Sequence, residues 1–148
     1  MNKVSDKWFQ LVIRDQNLLS GSSVLRFLEP IVAMLNIRYV LLKDLMGATP
    51  GLLGADGTLM TIDTFMKRVG IAAQYDWAFF YLYVFEPGDV ADDEDLALIG
   101  GADLTVRLVD GAYFYVYGKS GAVLDELQKI HSFSECVLGS LDEFDVPY

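Results

Sequence analysis

A chain of 148 residues, 53% apolar and with one cysteine, is long enough to bury a core as a single domain and too apolar to be disordered. It carries a formal charge of −10 and no uncharged apolar run near the ~20 residues that span a bilayer. These features exclude an intramolecular disulfide and argue against partners that are nucleic acids or anionic membranes.

The opening stretch, MNKVSDKWFQ, has charges but no apolar run behind them, so it does not read as a secretory signal. The expected location is cytoplasmic. Trp8 to Arg14 (WFQLVIR) has the composition of a strand, and Asp15, Gln16 and Asn17 supply turn residues to end it. Ser20 to Ser23 then offer helix caps. Val24, Leu25, Phe27, Leu28, Ile31, Val32 and Leu35 follow at helical spacing. Pro30 either kinks that helix or starts its main part, and Asn36 is a natural stop. Residues 37–46 can be read as a second strand or as a continued helix, and the pattern leaves both open.

Gly47 to Gly57 has four glycines and a proline and reads as a loop. It lacks the lysine and hydroxyl of a phosphate-binding loop. Thr61 is placed to cap a short helix that buries Ile62, Phe65, Met66 and Val69 and stops at Gly70.

From Asp76 to Glu86 (DWAFFYLYVFE) nine uncharged residues stand between two acids, and six of them are aromatic. That density without polar alternation predicts a strand covered on both faces, the centre of the fold. Pro87 to Gly101 is an acidic excursion, read as a solvated loop or one turn of helix leading into Leu96. Leu104 to Tyr117 predicts a hairpin turning at Asp110-Gly111, since that dipeptide suits a tight type I′ turn. Ser120 caps a last helix with Val123, Leu124, Leu127 and Ile130 on one face. Phe133 to Leu138 is a final strand before the acidic tail LDEFDVPY. The expected architecture is therefore α+β, a central antiparallel sheet of about 5–6 strands with three helices packed on it.

Chemistry is sparse by comparison. His131 is the sole histidine and Cys136 the sole cysteine, a combination that supports neither a zinc site nor a positioned nucleophile. Cys136 is expected to be a buried, inert thiol. The consecutive acids after Val90 lack the alternation and central glycine of a calcium loop. No catalytic residue, metal ligand or cofactor is expected.

Charge is the more informative feature. Residues 1–74 balance to +2 and residues 75–148 to −12. The expectation is a negative face for a basic protein partner, carried by Asp89, Asp92, Asp93, Glu94 and Asp95 and by Asp142, Glu143 and Asp145. A sheet edge open to a partner or a second copy is the alternative, and an enzyme whose site shows no motif is a third.

The stretch LTVRLVDGAYFYVYGKSGAVLDELQKI is a hairpin ending in an aromatic strand, followed by a capped helix. With the short strand after it, residues 104–138 resemble the C-terminal half of small bacterial families. Among these are immunity proteins of polymorphic or contact-dependent toxin systems and related uncharacterised families. The likeness is one of layout, so it implies no residue roles. It implies a small acidic inhibitor that binds and neutralises a toxin, a nuclease among the candidates.

Overall fold

The computed structural model describes residues 7–15, 18–131 and 134–144. Among the described residues seven strands lie in one antiparallel sheet: β1 (Trp8–Arg14), β2 (Tyr39–Ala48), β3 (Leu59–Thr61), β4 (Gln74–Tyr83), β5 (Leu104–Val109), β6 (Tyr113–Gly118) and β7 (Ser134–Gly139). Their order across the sheet is β3-β2-β4-β5-β6-β1-β7. The helices are α1 (Gly21–Leu35), α2 (Ile62–Val69), α3 (Asp95–Gly101) and α4 (Gly121–Ile130).

The class is α+β as expected, with more elements than the residue pattern suggested. β3 is the additional strand. It has only three residues, too few for a periodic signal, and pairs with Tyr39 to Leu41. The fourth helix is α3, which begins inside the acidic excursion because Leu98 and Ile99 have a sheet face to cover. Residues 37–46 resolve as strand from Tyr39 onward. Asn36 adopts the left-handed conformation, φ 56 and ψ 47, and so stops α1 where the alternative would have continued it.

Local chemistry accounts for the helix ends. Ser20 and Ser23 form a reciprocal capping box at α1, Thr61 accepts from the Thr64 N–H at α2, and Ser120 accepts from the Val123 N–H at α4. Pro30 lies within a continuous α1, half-buried where that helix meets α4. A Cβ on Gly21 would overlap the Gly70 carbonyl, so glycine lets the start of α1 meet the end of α2.

Alternation along each strand divides the sheet into two faces. Phe80 and Leu82 of β4, Val106 and Leu108 of β5, and Phe114 and Val116 of β6 join a core closed by Phe27, Ile31, Phe65, Val69, Val123 and Leu127. α1, α2 and α4 therefore cover one face. On the other face Phe79, Tyr81, Tyr83 and Tyr117 pack against Leu98, Ile99 and Ala102 of the α3 segment and against Phe144. β4 is thus covered on both faces, as its aromatic density predicts. Its boundary differs: the strand ends at Tyr83, and Phe85 is 80% exposed.

The Asp110-Gly111 turn is present, with φ 54 and 67 at the two residues. The connection is one residue longer than a two-residue hairpin, since Val109 pairs with Tyr113 and Ala112 stands between. Ala112 has its own bonds, its N–H to the Val109 carbonyl and its carbonyl to the Asp15 N–H. Phe133, the expected start of the last strand, lies outside the described residues, as do Gln16 and Asn17.

Candidate functional site

The acidic excursion and the C-terminal acids are 47 positions apart between Asp95 and Asp142, yet the fold brings their segments together. α3 packs against the 3₁₀ turn Leu141–Glu143. Trp8, Leu96, Ser140, Leu141 and Asp142 line one cleft of about 390 Å³. Both segments lie on the sheet face opposite α1, α2 and α4. Glu86 to Asp103 contains seven acids and no lysine or arginine. Asp89, Asp92, Asp93, Glu94, Asp142 and Glu143 are all exposed. Asp145 lies outside the described residues.

Two of the expected acids have structural work to do. Glu143 accepts a hydrogen bond from the Ser140 N–H at 2.8 Å, which holds its carboxyl below the usual range. Asp95 differs more sharply from the solvated acid expected from its neighbours. Its carboxylate stands 3.6 Å from the guanidinium of Arg107, and its side chain keeps 25% exposure.

Arg107 lies beneath α3 at the centre of the covered face and is fully buried. Its guanidinium stacks 3.9 Å from the Phe79 ring centroid, its neighbour across the β4–β5 ladder, and donates to the Tyr81 hydroxyl at 3.1 Å. Burial pushes the Tyr81 phenol up to about 12, against the opposing pull of Arg107. Gln10 and Thr105 are the other buried polar residues among those described. Gln10 donates to the Tyr117 hydroxyl at 3.0 Å, while the Thr105 hydroxyl has no hydrogen-bond partner among the described residues.

The cover has a second fastening: the Lys43 ammonium donates to the Ala91 carbonyl. Two sheet cations thus hold the acidic segment from beneath and leave its outer carboxylates to solvent. In the sequence, Arg107 reads as a strand residue turned to water, because a single charge in LTVRLV fits simple alternation. Only the presence of α3 over that face changes its meaning.

His131 ends α4 with its ring 5.2 Å from Phe27, and burial lowers its pKa despite the opposing pull of Asp15. Cys136 is exposed on β7, which corrects the expectation of a buried thiol. The reason is that β7 is an edge strand. Glu135, Cys136, Val137 and Leu138 are all exposed there. The Asp15 N–H bonds to the Ala112 carbonyl. Alternation from that pair turns the main-chain groups of Phe9, Leu11 and Ile13 toward β6 and those of Trp8, Gln10 and Val12 toward β7. On β7 this leaves the main-chain groups of Ser134, Cys136 and Leu138 aimed away from β1, at an edge that no strand of the described residues pairs.

No group of three or more His, Cys, Asp or Glu side chains is placed to hold a metal ion among the described residues. No helix among them is long and apolar enough to cross a membrane. No family model matches the chain, and neither a curated protein nor a solved structure matches it.

Proposed function

We propose that this chain is a single-domain, cytoplasmic acidic binding module that holds a basic protein partner, in the manner of an immunity protein neutralising a toxin. The observation that supports it most is the packing of α3 against the 3₁₀ turn, which gathers two acidic segments into one cover over the sheet. A toxin nuclease presents a basic cleft to its substrate phosphates. Carboxylates on a fixed cover can occupy such a cleft, and opposite charge speeds the encounter. The exposed acids Asp89, Asp92, Asp93, Glu94, Asp142 and Glu143 carry this role, with Asp145 a further candidate from the sequence alone. Asp95 contributes by anchoring the cover through Arg107.

The test is co-expression with the product of a neighbouring toxin-like gene, followed by association kinetics across a salt series. Replacing Asp92, Asp93 and Glu94 with their amides should slow association, as should raising the salt concentration. Replacing Arg26 and Lys67 on the opposite layer by Gln should not weaken binding. An association rate indifferent to both salt and the three amide replacements sinks the reading.

The open β7 edge favours a second reading, a regulatory or structural subunit that pairs this edge with a partner strand or a second copy. Concentration-dependent mass in the native chain, abolished by Leu138→Lys, would favour it over the first.

A further inference from the structure

The segment between β4 and α3 does more than present charge. Glu86 to Ala91 forms one wall of a groove of about 460 Å³, and residues of β2, β3 and the turn between them form the other. Leu41, Leu59, Pro87 and Val90 give it an apolar lining, with Leu59 37% exposed. Glu86 and Asp89 line the same groove and are both exposed. Among the described residues no lysine or arginine lines it. Lys43, the nearby cation of β2, is committed to the Ala91 carbonyl.

An apolar channel bearing two carboxylates matches one kind of side chain: a long aliphatic stem ending in a cation. We propose that this groove receives an arginine side chain of the basic partner, with Glu86 and Asp89 pairing the guanidinium. The proposal rests on the reading of this face as the partner-binding face, and it adds where and how a single side chain is held. The stem would cover Leu41, Leu59 and Val90, as long cationic side chains do on apolar surface. Arginine fits better than lysine, because its planar fork can meet two carboxylates and is less strongly hydrated than an ammonium.

The experiment needs no partner. Acetyl-arginine-amide is titrated into the isotope-labelled full chain and the backbone amide shifts are followed, with acetyl-citrulline-amide as the neutral control of nearly the same shape. Saturable shifts at Gly57 and Gly88, absent with the citrulline compound, are the expected result. The double replacement Glu86→Gln and Asp89→Asn should weaken binding about fivefold or more, while amides at Asp125 and Glu126 of α4, on the opposite face of the sheet, leave it unchanged. Equal shifts with citrulline, or shifts spread over every acidic position including Asp125 and Glu126, would overturn the groove. So would an affinity unaffected by the double replacement. These outcomes leave the partner reading standing, because that reading fails on a different measurement, the salt dependence of partner association.

Discussion

Asp95 and Arg107 are the one ion pair that ties the acidic cover to the sheet among the described residues, with carboxylate and guanidinium 3.6 Å apart. The guanidinium is fully buried, while the carboxylate keeps partial contact with solvent. A buried cation is costly to desolvate, and here the cost is offset by the Phe79 face, the Tyr81 hydroxyl and Asp95 together. One relationship therefore serves both the core and the binding face.

That asymmetry sets the first prediction. Asp95→Ala should destabilise the chain by about 1–3 kcal/mol, below the usual cost for a fully buried pair because the carboxylate is partly hydrated. Adding Arg107→Met should recover part of the loss, since the buried charge is then gone. The combined amides at Asp92, Asp93 and Glu94 should move stability by less than about 0.5 kcal/mol. Urea unfolding of the native chain and these three variants reads all of this, and equal costs for Asp95 and its neighbours would remove the anchor.

The second contrasts two phenylalanines of the same aromatic run. Phe80 is fully buried against Phe65 and Tyr75, whereas Phe85 is 80% exposed beyond the end of β4. Phe80→Ala should cost about 3–5 kcal/mol, and Phe85→Ala should stay within about 0.5 kcal/mol. A large cost at Phe85 would place the strand's end in the wrong position.

The contrast shows what was legible in the residues and why. Apolar periodicity marks elements that bury one stripe or two faces, so β1, α1, α2, β4, the β5–β6 hairpin and α4 stand out. It is silent where an element is short or is created by its surroundings. β3 has three residues, and α3 exists because it covers Tyr81 and Tyr83 from above. The candidate site divides along the same line. Exposed acids are visible as composition, but their convergence depends on the tertiary contact between α3 and the 3₁₀ turn. Asp95 was visible as one acid among several, but its pairing with Arg107 was beyond reach for the same reason. Nothing in LTVRLV says that a helix will close over its charged residue.

Gly111 gives a third prediction. Its φ is 67 and that of Asp110 is 54, so both sit in the left-handed region. A Cβ at Gly111 would meet its nearest neighbour, the Tyr75 carbonyl, at 3.5 Å, an ordinary contact. The cost of Gly111→Val is therefore conformational, about 1–3 kcal/mol for a β-branched residue. Gly111→Asn should cost clearly less, because asparagine tolerates this conformation. Equal thermal midpoints for the Val and Asn variants would contradict the geometry.

The last prediction concerns pH and follows from His131. Its ring lies beside Phe27, and burial depresses its pKa below the ordinary 6.5, with the Asp15 carboxylate pulling the other way. The folded chain therefore binds this proton less readily than the unfolded chain does. Where the unfolded state binds more protons, stability rises with pH, so the native chain loses stability as pH falls through 6.5. The loss stops growing once pH is below the folded value. Other groups act on the same curve: reduced repulsion among the acids at lower pH favours the fold and works against this term. The informative quantity is thus the difference between the native chain and His131→Gln. Unfolding midpoints measured between about pH 5.5 and 8 should fall more steeply toward acid in the native chain than in the variant. Parallel curves would mean that His131 titrates alike in both states and that its place beside Phe27 imposes no cost on its charge.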